Sequence, residues 1–426
     1  MTPLTPFIYT FLTLLNSPSQ AGSLTISGIS SGGFMASQMG VIYSHEFSGV
    51  ATVAGGVYYC AQNHFYTKSR ENGLSSYFSY SLTEQGVSLT FNPLNLSAGS
   101  AHTPSSEDPE KQDEKVLLAP LPSNPIYQAT QCMSQPETSH SLPPYKSMNL
   151  SFLDKLEDAQ LIAPLTNISK QRVLIYQGEN DVVVKKTAAF KLQEFYARMG
   201  VPDSQVKVIF KPGNHNFPSD GDYGISCADA KVPYVARCNF DLAGDILQHT
   251  LGRTLERSSF QTKNLYRVQQ KEAPVSIAPS GYLYANEFCL NNPQECDLHV
   301  ALHGCQMADD YDQNFQNFYS AKIRLTRILG ISSYELNARV PIMGAQNFAR
   351  YSGYASYAEP EKNHLMIYFP QTQITAENYP ANPNGCWDWY GWTGEAYATN
   401  QGVETSWLMH QIQSVRQNPR SLILTP

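Results

Sequence analysis

Beyond the first two dozen residues, the chain has no apolar run of the ~20 residues needed to cross a bilayer as a helix, so no membrane span is expected. Charge is scarce: Asp, Glu, Lys and Arg make up 15% of the 426 residues, and the formal net charge is −7. No block or stripe of Lys and Arg stands out, so the electrostatic footprint of a nucleic-acid binder is missing. Neither C-x2-C nor H-E-x-x-H occurs, which removes the common zinc-ligand spacings. No internal repeat is evident. The expectation is a chain that uses neither a metal nor an organic cofactor.

What is present points to an oxidising compartment. The eight cysteines are an even number, and Cys227/Cys238 and Cys289/Cys296 lie close in sequence, so four disulfides are expected rather than a metal set. At the N-terminus, Phe7 to Leu15 form a short apolar run, followed by Ser19-Gln20-Ala21, a small-x-small cleavage pattern. Residues 1–21 read as a signal peptide, although no Lys or Arg precedes the apolar run; the alternative is a buried N-terminal segment. The expected destination is secreted, extracellular or periplasmic. Aromatic residues are plentiful, with 26 Tyr, and suit either a cleft of amphipathic rings or a Tyr-rich core.

Strand-like runs recur at 24–27, 49–56, 172–176, 205–210, 297–302 and 365–369, with helix-like runs at 34–43 and 191–199. This alternation predicts an α/β fold with a mostly parallel central sheet flanked by helices. Residues 98–116, rich in Ser, Pro and charge, read as a surface loop, and 255–278 as a linker or long connection.

Gly28-Ile29-Ser30-Ser31-Gly32 is G-x-S-x-G between a strand and a helix. A nucleophilic serine needs that sharp turn to project its hydroxyl above the sheet, and the crowded backbone demands small neighbours. Ser31 competes, but only Ser30 has glycine two residues away on both sides. A serine hydroxyl needs a base, and the base an orienting acid. Asp181 follows the strand ending at Tyr176, with Glu179 as its rival. His215 follows the strand ending at Phe210, 34 residues after Asp181. The strand Asp297–Leu302 then runs into His303-Gly304-Cys305, a loop of the kind that gives a backbone N–H to an oxyanion. It follows the histidine instead of preceding the serine, the order a circular permutation produces.

Gly28 to Ala36, Gly213-Asn214-His215-Asn216-Phe217-Pro218, Ala301 to Gln306, and Asn382 to Trp389 together resemble the single-domain, circularly permuted poly(3-hydroxybutyrate) depolymerases, esterases of the α/β-hydrolase superfamily. The resemblance implies Ser30 as nucleophile, Asp181 as acid, His215 as base, and the N–H groups of Ser31 and Cys305 as oxyanion donors. It also implies a Cys305–Cys386 disulfide. With it goes the expectation of three further pairs: Cys60–Cys132, Cys227–Cys238 and Cys289–Cys296. The implied architecture is one catalytic domain over 22–426, with insertions at about 61–150, 255–280 and 312–347. Ile323 to Ile331 in the last of these read as helical.

Three of the four Trp fall in Trp387-Asp388-Trp389-Tyr390-Gly391-Trp392. Trp387, Trp389 and Tyr390 are expected either to line a substrate groove or to form a core cluster. The expected activity is hydrolysis of a polyester through an acyl-enzyme. The alternatives are a secreted carboxylesterase for small or polysaccharide-linked esters, and a non-catalytic binding module on a hydrolase fold.

Overall fold

The computed structural model describes residues 22–61, 132–133, 150–309, 344–375, 382–394 and 396–425, with the backbone of strands 78–83, 86–91, 319–325 and 334–340. The expected signal peptide, the 98–116 loop and most of the 61–150 insertion lie outside the described residues. Eight strands form the central sheet: β1 (Leu24–Ile29), β2 (Phe47–Val53), β3 (Arg172–Gly178), β4 (Val206–Lys211), β5 (Leu265–Gln269), β6 (Ser280–Tyr284), β7 (Asp297–Leu302) and β8 (Leu365–Phe369). Their spatial order is β5-β6-β8-β7-β1-β2-β3-β4. Pairing is parallel from β8 through β4, and β6 is antiparallel to both of its neighbours, so the sheet is mostly parallel as expected.

The period-two alternation of these strands divides the core. Leu24, Ile26, Val50, Val173 and Ile175 point to one face. There they meet helices α1 (Ser31–Ile42), α2 (Lys186–Arg198) and α5 (Val403–Gln417). Ala51, Val53, Leu174, Tyr176, Ile367 and Phe369 point to the other face, against α3 (Leu242–Leu251) and α4 (Tyr354–Ala358). Strands buried on both faces need apolar residues at nearly every position. Thr25 and Ser27 depart from this, and His299 on the adjacent β7 satisfies both: Nδ1 lies 2.8 Å from Thr25 Oγ1 and Nε2 2.7 Å from Ser27 Oγ. Burial pushes His299 down to about 3, so the ring is neutral.

All eight cysteines are paired, as expected: Cys60–Cys132, Cys227–Cys238, Cys289–Cys296 and Cys305–Cys386. Two expectations are corrected. The supposed linker 255–278 contains β5, whose Val268 is buried while its neighbours Arg267 and Gln269 are exposed. Half-polar alternation of this kind belongs to a sheet edge and reads weakly in sequence. Ile323 to Ile331 are not one helix: Tyr319–Leu325 is a strand paired antiparallel with Tyr334–Val340. The sequence there alternates apolar Tyr319, Ala321, Ile323 and Leu325 with polar Ser320, Lys322 and Arg324, a strand period. Among the described residues no helix is long and apolar enough to cross a membrane.

The Trp-rich run corrects a third expectation. Trp387 is 0% and Trp389 5% exposed, so neither lines an open groove. Trp389 stacks on Phe34 at 3.9 Å between ring centroids, and half-buried Tyr390 packs edge-on against Trp389 at 5.3 Å. Asp388 turns the segment inward. Its Oδ1 accepts from the N–H of Gly391 (2.7 Å) and Trp392 (3.1 Å), and its Oδ2 from the N–H (2.9 Å) and hydroxyl of Thr393. Glu404, near the start of α5, accepts the N–H of Asp388 at 2.7 Å. Burial, with the Asp388 charge nearby, pushes the Glu404 carboxyl up to about 8. A raised acid keeps its proton in the folded chain after the unfolded chain has lost it. Its contribution is therefore full below about 4.5, the unfolded value, and declines as pH rises toward about 8. Glu404→Gln is expected to remove that decline. Denaturant midpoints of the two proteins measured from pH 5 to 9 should diverge progressively toward the alkaline end; parallel profiles would count against a protonated Glu404.

Candidate active site

The centre of the sheet sets the site. β1 ends at Ile29, α1 begins at Ser31, and Ser30 forms the turn between them at φ 55°, ψ −122°. A non-glycine residue held there costs about 1–3 kcal/mol and persists only where its surroundings over-determine it. Ser30 N–H donates to Val53 O at 2.9 Å, and Ser30 O accepts from Phe34 N–H at 3.0 Å. The flanking glycines are required by close approach. A Cβ on Gly28 would lie 2.2 Å from Gly32 O, and one on Gly32 would lie 2.3 Å from His303 O. The expected strand–turn–helix is thus present, with its small residues where the backbones meet.

The loops after β3 and β4 bring the other two residues in. His215 Nε2 lies 3.0 Å from Ser30 Oγ, and His215 Nδ1 2.9 Å from Asp181 Oδ2. The carboxylate can only accept, so Nδ1 carries the hydrogen and Nε2 presents its lone pair to the Ser30 hydroxyl. Asp181 and His215 are buried. Asp181 Oδ1 accepts the N–H groups of Val183 and Val184, each at 2.8 Å, and Oδ2 accepts Gln177 Nε2 at 3.2 Å. These donors fix the carboxylate's orientation. Glu179, the rival acid, is exposed, and Ser31, the rival nucleophile, has its buried Oγ against the Trp387 N–H at 3.4 Å.

The His303–Cys305 loop passes directly over the turn: a Cβ on Gly304 would sit 3.1 Å from Ser30 Cβ. His303 is fully buried, and burial pushes it down to about 4. Its neutral ring donates from Nδ1 to Gly304 O at 2.8 Å and accepts the Thr372 N–H at Nε2, 3.3 Å. The disulfide to Cys386 and the Gln306 N–H to Asn384 O bond of 2.7 Å hold the loop from its other end. Ser31 N–H is a first-turn helix donor without a helical acceptor. Among the described residues Cys305 N–H also has no intramolecular acceptor.

Several residues near the relay gave no separate signal in the sequence. Asn214 Oδ1 accepts from both His215 N–H (2.8 Å) and Val182 N–H (3.1 Å), so one side chain ties the histidine loop to the aspartate loop. Asn214 N–H and Asn216 Nδ2 both donate to Cys227 O at 2.9 Å. The Cys227–Cys238 link thereby braces both flanks of His215. Both asparagines lie in the quoted motif, but nothing in their spacing reveals this bridging. Tyr234 packs its ring edge-on at 6.1 Å from the His215 ring and donates its hydroxyl to Gln306 Oε1 at 2.9 Å. It therefore connects the histidine side of the site to the residue after Cys305. Among the described residues, no three His, Cys, Asp or Glu side chains form a metal-ligand set.

Fold and site define an α/β protein with a hydrogen-bonded Ser–His–Asp relay at a strained strand-to-helix turn. Over 92% of its length the chain is a homologue of the polyhydroxybutyrate depolymerases. It is 25% identical over 415 residues to a polyhydroxybutyrate depolymerase of Talaromyces funiculosus, covering 89% of that protein. It is 26% identical over 401 residues to a poly(3-hydroxybutyrate) depolymerase of Delftia acidovorans, but spans only 59% of that protein's length. Among solved structures it shares the fold of a PHB depolymerase from Penicillium funiculosum, with a TM-score of 0.62 at 23% identity over 92% of this chain and 95% of the other. A PHB depolymerase variant complexed with R3HB trimer matches with a TM-score of 0.61 at 24% identity over the same shares. No family model matches the chain.

If Asn214 positions the relay, Asn214→Ala should lower kcat for a soluble ester by ~10- to 100-fold, the cost of misplacing a catalytic group by about an ångström. KM should stay within about threefold, because no ground-state contact is removed. A changed KM with unchanged kcat in steady-state assays would assign Asn214 to substrate binding instead.

Proposed function

We propose that the chain is a secreted ester hydrolase that cleaves poly(3-hydroxybutyrate)-type polyesters by a serine acyl-enzyme mechanism. The observation carrying this reading is the continuous hydrogen-bonded relay Ser30–His215–Asp181, with Ser30 at a strained strand-to-helix turn. His215 Nε2 takes the Ser30 proton as Oγ attacks the ester carbonyl. Asp181 holds the ring and stabilises the imidazolium that forms. The N–H groups of Ser31 and Cys305 receive the oxyanion, and the relay returns the proton to the leaving alcohol. Water then attacks the acyl-enzyme by the same relay, releasing the hydroxyacid and restoring Ser30.

Polymer as substrate is supported by the names of the relatives and by the R3HB trimer in the matched complex. Secretion is supported by the four disulfides. We read residues 22–426 as one catalytic domain, circularly permuted. Support for the permutation comes from α5, which follows β8: Arg416 near its C-terminal end donates from Nη2 to Gly22 O, just before β1, at 2.8 Å. Joining the two would make a β8–α5–β1 crossover leading straight into the Ser30 turn, as in an unpermuted order. The second reading, a carboxylesterase for small or polysaccharide-linked esters, gains weight from the burial of Trp387 and Trp389, which leaves no open aromatic track from that run.

Ser30→Ala should fold normally and lose at least about 10³-fold in turnover on both p-nitrophenyl butyrate and a polyhydroxybutyrate suspension. Retained turnover would overturn Ser30 as nucleophile. In the unmutated protein, hydrolysis of the small ester with no clearing of the suspension would replace the depolymerase reading with the carboxylesterase one.

A further inference from the structure

Apart from the relay, a cavity of about 830 Å³ opens between the segment Ser219–Tyr223, the segment Arg257–Phe260 and the end of the helix Gly344–Tyr351. That size falls within the range of small-molecule sites. The cavity is connected to the relay by the backbone: Ser219 ends the short strand that begins two residues after His215, and its hydroxyl donates to Tyr351 O at 3.0 Å.

Two arginines line it, and they differ. Arg257 is fully engaged. Both its terminal nitrogens donate to the Asp220 carboxylate, and Nε donates to Ser356 Oγ at 3.0 Å. Arg350 forms no ion pair and no hydrogen bond among the described residues, and its Nε is buried with no acceptor. Its Cζ lies over the face of Phe260, 5.6 Å from the ring centroid. That Nε is shut away from the cavity, so the terminal nitrogens, unbonded and not buried, are the groups that can meet an acceptor from outside the chain. The planar fork of arginine matches a carboxylate. The hydroxyls of Ser258 and Ser259 add donors, and Phe260 with the stacked Tyr223–Tyr351 pair, 3.8 Å between ring centroids, adds apolar surface. Asp222, exposed at the rim, disfavours multiply charged anions.

We propose that this cavity binds an organic monocarboxylate with an apolar body, the free acid end of a short hydroxyacid oligomer, through Arg350. The identity of the acid rests on the ester-hydrolase reading above, since hydrolysis of a polyester yields such ends; the carboxylate chemistry of the cavity does not.

The test uses the full chain carrying Ser30→Ala, titrated calorimetrically with the 3-hydroxybutyrate trimer as free acid and as methyl ester. The acid should bind at least about tenfold more tightly than the ester, a difference of ~1.4 kcal/mol. Adding Arg350→Gln should abolish that preference while leaving p-nitrophenyl butyrate turnover of the otherwise unmutated protein unchanged. Ser259→Trp, which fills the cavity from its exposed side, should weaken acid binding to the same degree and serves where Arg350→Gln does not fold. Equal binding of acid and ester, or acid binding indifferent to both substitutions, would overturn the proposal. Acid binding that depends on Arg350 in a chain hydrolysing no ester would sink the esterase reading and leave the carboxylate site standing.

Discussion

The backbone of Ser30 is bent into a conformation that an L-residue avoids, and the surrounding structure exists in large part to hold it there. The turn stands at the centre of the sheet, where β1 has parallel neighbours on both sides. Val53 O holds its N–H, and the first turn of α1 holds its carbonyl. The strain is affordable because β1 and α1 are buried along their length, and a fully buried Leu, Ile, Phe or Met side chain contributes about 1.5–3 kcal/mol. The glycines at 28 and 32 follow from the same geometry, since the turn brings backbone against backbone and the β7 loop against the helix start. A change that relaxes the turn would move the Ser30 hydroxyl away from His215 and shift the Ser31 N–H with it.

The partners of Ser30 sit on loops, and loops need bracing that a sheet supplies only at their roots. Three devices provide it here. Asn214 joins the histidine loop to the aspartate loop through one bifurcated oxygen. The Cys227–Cys238 loop presents the Cys227 carbonyl to both asparagines beside His215. On the opposite side, neutral His303 and the Cys305–Cys386 disulfide fix the His303–Cys305 loop. Burial makes His303 and His299 poor proton acceptors, so each serves as a two-point hydrogen-bonding unit rather than a base. Among these three histidines, only His215 has its Nε2 facing a serine at a strained turn. Placement, not membership of a motif, is what separates it from His303.

Legibility in the sequence tracked how local the causing physics is. Ser30, Asp181 and His215 could be found because each follows a strand ending whose apolar run is visible within a few residues. The buried strands were legible for the same reason. β5 was not, because an edge strand satisfies only half its positions with apolar residues and then resembles a polar connection. The strand at 319–325 is hidden in the sequence because a short alternating run beside Ile and Leu mimics a helix face. Asn214, Gln177 and Tyr234 act through contacts made only after distant segments converge: Tyr234 meets Gln306 across 72 positions. The Trp run was ambiguous for another reason. Whether aromatic residues face solvent or core was decided by Asp388 and Glu404, whose pairing no spacing rule predicts.

That pairing bears on how substrate meets the site. For Trp387 or Trp389 to swing outward, Asp388 would have to surrender its donors from Gly391, Trp392 and Thr393, leaving a buried carboxylate unsatisfied next to Glu404. The aromatic segment is therefore a rigid floor: it supports Phe34 on α1 and presents the Trp387 N–H to Ser31. Among the described residues, Tyr234, Gln306 and Asn384 form a half-buried chain of hydrogen bonds that starts beside the His215 ring, while Val182 and Val183 next to Asp181 leave apolar surface exposed. The floor beneath the relay is thus set by buried hydrogen bonds, while the surface around it is mixed, polar on the Gln306 side and apolar beside Asp181.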